Sequence, residues 1–286
     1  MKQYASWAAF LGLFFCIQQP SFAFEGPYFV TYTHQLEEQG NLEFETRSMT
    51  ARRSGGDRFL ASAMEFEYGV LGWWTTELYL DGQGTLGDST LYTGSRWENR
   101  FRFTKQEHWI NPVLYLEFEN TNGADKTLLE VVGHDSQADL TAPNATSRLE
   151  KAREIEGKLL LGGNWRGWNF SENFIVEKNI AHAPYEFGYA VGVSHPLALQ
   201  ARPNRCNLCP ENFQVGLEAY GGLGDTWDMN LKETSQYLAP ALEWTMASGV
   251  DFKVSPSFGL TASSIPFFVR FGVSYEISQF ARRFHK

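Results

Sequence analysis

Several common functional signatures are missing from this chain of 286 residues. Neither G-x-S-x-G nor H-E-x-x-H occurs, so the strained serine elbow of the α/β hydrolases and the zinc-binding helix of the metalloproteases are both absent. Past the amino terminus there is no apolar run of roughly 18 residues or more, the length a helix needs to cross a bilayer. No linker rich in proline, glycine or serine divides the chain, and no fixed-period repeat is visible. Cysteines number only three. Positive charge is also in deficit: 24 Lys and Arg against 33 Asp and Glu give a formal charge of −9, which argues against nucleic acid as a partner.

The amino terminus reads as a secretory signal peptide over residues 1–23. Lys2 supplies the positive charge, residues 7–17 form the apolar stretch, and Ser21-Phe22-Ala23 supplies the small-x-small cleavage site. Cys16 follows Leu13-Phe14-Phe15, too bulky for a lipoprotein cleavage motif. Removing the leader takes Lys2 and no acid, so −9 becomes −10. A hydrophobic fraction of 43% beside a mean hydropathy of −0.32 is ordinary for a membrane barrel, whose lumen face is polar. Aromatic residues, at 15%, are abundant, and these collect at membrane interfaces.

What the chain does contain is period-two alternation, the mark of strands whose successive side chains point to opposite faces. Over residues 60–81, Met64, Phe66 and Tyr68 share one face and Glu65 and Glu67 the other; beyond a tight corner at residues 69–73, Thr76, Leu78 and Leu80 oppose Glu77 and Asp81. Similar patterns over 41–50, 94–104, 112–120, 153–161, 167–177, 185–195, 213–221, 236–246, 250–260 and 267–277 bring the count to twelve strands. Behind a secretion signal, this predicts an all-β fold: a single antiparallel transmembrane β-barrel, apolar outside and charged inside, in a bacterial outer membrane. The domains expected are the signal peptide, a periplasmic lead-in over 24–40, the barrel over 41–278 and a basic tail over 279–286.

An even strand count places both termini in the periplasm. The long connections, 121–151, 222–235 and 82–93, then fall at the external end, and the short ones at the periplasmic end. The cysteine-bearing connection, 196–212, is a long exception at the periplasmic end. Trp73, Trp74, Trp97, Trp109, Trp165 and Trp244 are expected to contribute to two aromatic girdles. The last strand carries an unbroken row, Phe267, Val269, Phe271, Val273, Tyr275 and Ile277, of the kind that barrel-insertion machinery reads, although Arg282-Arg283-Phe284-His285-Lys286 follows it.

The phrases Glu67-Tyr68-Gly69-Val70, His108-Trp109-Ile110-Asn111-Pro112 and Phe271-Gly272-Val273-Ser274-Tyr275-Glu276 resemble the outer-membrane barrel proteins of the MetA pathway of phenol degradation and their uncharacterised acidobacterial relatives. The resemblance implies a barrel with a transport role and transfers no catalytic residue.

The inward face is expected to carry Glu43, Glu45, Arg47, Glu65, Glu67, Glu77, Glu98, Arg100, Arg102, Glu117, Glu119, Glu154, Glu156, Lys158, Glu218, Glu243, Lys253 and Arg270. Carboxylates crowded in a narrow lumen cannot all stay ionised and unpaired at low cost, so the cations should bridge them. Two outcomes follow: a salt-bridged filling, or an acid-lined passage for small polar or aromatic solutes. Cys206 and Cys209, in a C-x-x-C, are expected to form a disulfide; a zinc site would need two more ligands, and His195 is the one nearby histidine.

Gly82-Gln83-Gly84-Thr85-Leu86-Gly87 matches a nucleotide-binding motif by letter but has no helix after it. Asn144-Ala145-Thr146 reads as plain loop. His134-Asp135 lacks an activated serine and is not expected to be catalytic. The alternative weighed is a secreted jelly-roll glycoside hydrolase or carbohydrate-binding protein using paired carboxylates such as Glu117 and Glu119. The expected partners are outer-membrane lipid, the insertion machinery and a small solute; no cofactor is expected, and no catalytic or metal-ligating residue stands out.

Overall fold

The computed structural model describes residues 26–52, 56–129, 131–180, 184–200 and 206–284. The expected signal peptide and the end of the basic tail lie outside the described residues. Twelve strands follow one another: β1 (Leu42–Arg52), β2 (Arg58–Leu71), β3 (Trp74–Thr85), β4 (Thr90–Arg102), β5 (Asn111–Asn122) and β6 (Lys151–Trp165), then β7 (Trp168–Asn179), β8 (Glu186–Pro196), β9 (Phe213–Asp225), β10 (Gln236–Thr245), β11 (Val250–Gly259) and β12 (Phe267–Ile277). Each pairs antiparallel with its sequence neighbours, and β1 pairs with β12 from Leu42↔Ile277 to Ala51↔Phe268, closing the barrel. Closure removes the unpaired edges that an open sheet would expose. It also overturns the jelly-roll alternative, which requires two stacked sheets.

Alternation decides which side of the wall each residue takes. On β2, Ala61, Ala63, Glu65 and Glu67 are buried while Leu60 and Met64 are exposed. On β5, Tyr115, Glu117 and Glu119 are buried while Leu116 and Phe118 are exposed. An outer wall of Leu, Phe and Val over an ionisable interior inverts the usual order of a water-soluble protein and suits a hydrocarbon surround, where only closed barrels and helices satisfy every backbone group. The β6–β7 connection is two residues, Arg166 and Gly167, both at positive φ (51° and 87°), the backbone twist that a tight antiparallel hairpin needs.

Three expectations about the wall are corrected. First, the tryptophans do not divide between two girdles. Trp73, Trp74, Trp109, Trp165 and Trp244 gather at the end where β1 starts and β12 finishes, where Trp74 stacks on Phe101 and Trp244 on Phe213 and Phe252. Trp97 instead lies midway along β4, opposite Leu78 and Phe118, and its indole N–H is satisfied on the spot by Thr76 Oγ1 at 3.0 Å. Second, the connection expected over 82–93 shrinks to residues 86–89, because β3 and β4 continue past a bulge at Asp81/Gly82. Third, the lumen face is not ionisable all round. Charge concentrates on β1 to β7, whereas β8 to β12 contribute Ala190, Tyr220, Tyr237, Ala239 and Phe268 to an internal apolar cluster.

Candidate functional site

The largest departure from expectation lies inside the barrel. Residues 26–40, expected as a periplasmic lead-in, rise into the lumen and fold back on themselves: Tyr28, Phe29, Val30, Thr31, Thr33 and His34 are all buried. From the other end the 123–150 connection folds inward instead of standing free, burying Ala124, Lys126, Thr127, Leu129, Val131 and Val132. The two segments meet where Phe29 and Val30 pack with Val131 in the cluster lined by Tyr220, Tyr237 and Phe268. A remaining cavity beside Tyr28, Val30, Tyr32, Arg47, Arg100 and Lys253 measures about 20 Å³, room for one water.

The wall is shaped for the amino-terminal segment. A Cβ added at Gly192 would stand 2.7 Å from the Tyr28 ring, and one at Gly162 2.7 Å from His34 Nδ1. The run of small inward residues on β8 therefore marks a seat. Glu218 holds the apex of the fold-back: its carboxylate accepts the backbone N–H groups of Phe29 (3.2 Å), Val30 (3.1 Å) and Thr31 (3.1 Å) and the Thr31 hydroxyl (3.2 Å). Asn173 does the same for Tyr32, accepting its N–H at 2.7 Å and donating to its carbonyl at 2.9 Å. Every backbone group buried this way needs such a partner.

Tyr32 occupies the centre of the charged half. Its hydroxyl donates to Glu98 at 3.1 Å and lies 3.2 Å from the Tyr79 hydroxyl. Its ring meets Tyr115 edge-on at 5.1 Å and has Lys158 Nζ at 4.8 Å, the Arg100 guanidinium at 5.4 Å and that of Arg47 at 5.9 Å, within reach of cation–π attraction. Burial, then the Glu98 charge, holds the Tyr32 phenol well above its ordinary range, so it stays a donor. Around it, Arg47 bridges Glu45 and Glu65 (3.2 and 3.0 Å), Arg100 bridges Glu67, Glu77 and Glu98, and Lys158 pairs Glu156 at 2.8 Å.

The other inward residues serve the inserted connection or the wall. Arg270 donates to the Leu128 carbonyl and covers the Tyr220 ring. Lys253 lies 3.6 Å from Glu45 and opposite Glu243 in register. Tyr115 donates to Glu117; Glu119 is 3.6 Å from Arg96, whose other partners include Asp81 at 3.0 Å, Asp125 at 3.5 Å and the Thr127 hydroxyl. Glu154 accepts from Asn179 at 2.9 Å. Glu43 and Arg102 are half-buried at the end where β1 starts. Arg96 was absent from the expected lining although it stands in phase with Glu98 and Arg100, and Asp81, read on the charged face with Glu77, joins it there. Cys206 and Cys209 are joined as a disulfide, Cα to Cα 5.5 Å.

His34 is the titratable hinge of the inserted segment. It is fully buried, and its Nε2 lies 2.8 Å from Glu107 Oε1. Its Nδ1, against Gly162, has no hydrogen-bond partner among the described residues. Burial lowers its pKa below 6.5, outweighing the opposing pull of Glu107, and Arg102 pushes the same way as burial. A neutral imidazole donating from Nε2 satisfies this geometry, while a proton on Nδ1 would find no acceptor. A depressed pKa means that the released state binds the proton more readily, so seating is strongest above about 6.5 and weakens as pH falls below it. Protease susceptibility of the segment should therefore rise on acidification, and His34→Gln should flatten that dependence; an unchanged profile in the variant would refute the assignment.

No family model and no curated protein matches this sequence. Among solved structures, the NanC porin aligns with 82% of this chain and all of its own at 10% identity, with a TM-score of 0.49. An outer-membrane channel from Pseudomonas putida F1 aligns over 85% of this chain and 97% of its own at 9% identity, TM-score 0.49. LpxR from Salmonella typhimurium aligns over 81% and 99% at 8% identity, TM-score 0.40. Likenesses this distant say nothing of what this chain carries.

Proposed function

We propose that the protein is a gated outer-membrane channel or transporter for small polar or aromatic solutes, closed at rest by its own amino-terminal segment, with both termini on the periplasmic side. The observation that supports this reading is the kind of bond holding residues 28–34. They are fastened by side-chain carboxylate and amide groups, by cations over the Tyr32 ring and by apolar packing of Phe29, Val30 and Tyr32, with no strand pairing to the wall among the described residues. Such interactions can exchange for water or solute one by one, and the barrel keeps its complete backbone ladder when they do. The Tyr32 position supports the aromatic part of this reading: its phenol ring is faced by three cations, and its hydroxyl donates to Glu98. A free phenol or aromatic acid offers the same features, in keeping with the resemblance to the phenol-degradation barrel proteins.

Deleting residues 24–36 should empty the half of the lumen nearer the start of β1, and with it gone the inserted 123–150 connection loses the Phe29 and Val30 packing that helps to hold it. In planar bilayers the intact protein is expected to show rare, brief openings and the deletion variant sustained steps; an equally silent variant would sink the gate and leave the inserted segments as permanent filling. In the open variant, p-cresol should reduce the ionic current in a concentration-dependent way, whereas a sugar of similar size should not.

A further inference from the structure

We infer that the outer wall, near the end where β1 finishes and β6 starts, carries a binding site for the phosphate-bearing headgroup of a membrane lipid, formed by Lys151 and Arg153 on β6 and Lys178 on β7. The chain is acidic overall at −9, yet its acids are not distributed evenly about the wall. Among the described strand residues, the charged side chains on the outer face near this end are Arg52, Arg58, Lys151, Arg153 and Lys178, all basic, while the outer-face acid Glu172 lies nearer the other end. Arg52 and Arg58 even stand directly opposite one another, an arrangement of like charges that costs stability unless an anion lies between them.

The β6–β7 group has the geometry of a site. Lys151 and Arg153 share a face two residues apart, about 7 Å along a strand. Lys178 pairs with Ile155 in register, which sets it diagonal to Arg153, also about 7 Å away. The Tyr185 ring lies 4.2 Å from Lys178 Nζ and fixes where that charge sits. Asn120, exposed beside Arg153 on β5, adds a neutral donor. The flanking acids Glu154 and Glu177 project into the lumen, and Glu150 rests against Gly123 in the connection. Directly toward the barrel's middle lie exposed Ile155, Phe118 and Val176. Positive charge at one level and bare apolar side chains immediately beneath match an anionic headgroup with its acyl chains, a pairing that a soluble anion or an acidic protein would not need.

The test uses the full-length protein and vesicles of phosphatidylglycerol or phosphatidylcholine, with retained lipid measured by native mass spectrometry. Each basic residue near a membrane surface contributes about fivefold, so three give a preference for the anionic lipid on the order of 100-fold. Lys151→Gln, Arg153→Gln and Lys178→Gln together should abolish most of it. Removing the same charge at the other end, with Lys105→Gln, Arg282→Gln and Arg283→Gln, should leave it intact. Equal loss in both triple variants would assign the preference to overall charge and overturn the site, as would an undiminished preference in the first. Should that variant fail to fold, Arg153→Gln alone is expected to lose about fivefold. Excess inorganic phosphate should not displace the lipid; displacement would make the site one for free phosphate and overturn the lipid assignment. Failure of the barrel to enter either vesicle would instead refute its membrane placement.

Discussion

Replacing Glu218 with alanine is expected to release the amino-terminal segment while leaving the barrel standing. Three consecutive backbone donors, on Phe29, Val30 and Thr31, share this one carboxylate at 3.1–3.2 Å. In the variant they stay buried with no acceptor, and each such orphan costs about 1–3 kcal/mol. Some of that returns, because a fully buried carboxylate no longer has to be kept out of water. A net weakening of about 3 kcal/mol would move the seated-to-released ratio by on the order of 100-fold. Glu218→Gln keeps one acceptor oxygen and should fall between alanine and the native residue. Protease cleavage within residues 26–40 reads the release directly, and retention of the folded, heat-modifiable gel mobility shows that the wall survives. If alanine leaves both cleavage and conductance as in the native protein, Glu218 is not the fastening point.

The wall was legible in the sequence because alternation is a local signal with a global meaning. β12 runs over Phe267–Ile277 as its unbroken aromatic and aliphatic row indicates, and the corner after Tyr68 is indeed the β2–β3 hairpin. Once neighbouring strands pair in order, facing follows from parity. The closed lumen was not legible, because nothing local encodes it. Val30 finds Glu218 from 188 residues away and Tyr32 finds Asn173 from 141, and residues 26–40, rich in Tyr and Thr with no long apolar run, read as a plain extended lead-in. Signals did exist in hindsight of the geometry. Inward Gly192 and Gly162 leave space that something must fill, and Leu128-Leu129 and Val131-Val132 set two apolar pairs close together in a connection whose flanks are mostly polar. Alternation sets Gly188, Ala190 and Gly192 of β8 on the Glu186 side, opposite Phe187, Tyr189, Val191 and Val193, but parity assigns a side without assigning a partner, so the pattern could not say what those small residues would seat.

Arg100→Ala should cost more than any other single change inside the barrel, because this guanidinium joins the wall to what fills it. It is 3% exposed among Glu67 and Glu77 at 1% and Glu98 at 0%. Its Nη2 reaches Glu67 at 2.5 Å and Glu77, its Nε lies 3.2 Å from Glu98, and its Nη1 donates to the Gln35 carbonyl at 3.4 Å. Taking one partner from a buried ion pair costs about 3–5 kcal/mol. Here three carboxylates are deprived of their shared cation together, and the Tyr32 ring is deprived of the guanidinium that faces it. Arg100→Lys restores a charge but not the fork that serves several carboxylates at once, so it should recover only part of the loss. The decisive comparison is Arg100→Met combined with Glu77→Gln and Glu98→Gln. With two of the three carboxylates neutralised, the combination should be more stable in denaturant titration than Arg100→Ala alone, in spite of its two further substitutions. Strict additivity across that set would mean the carboxylates are held by something other than Arg100, and the role given to it as the joint between wall and inserted segment would fall.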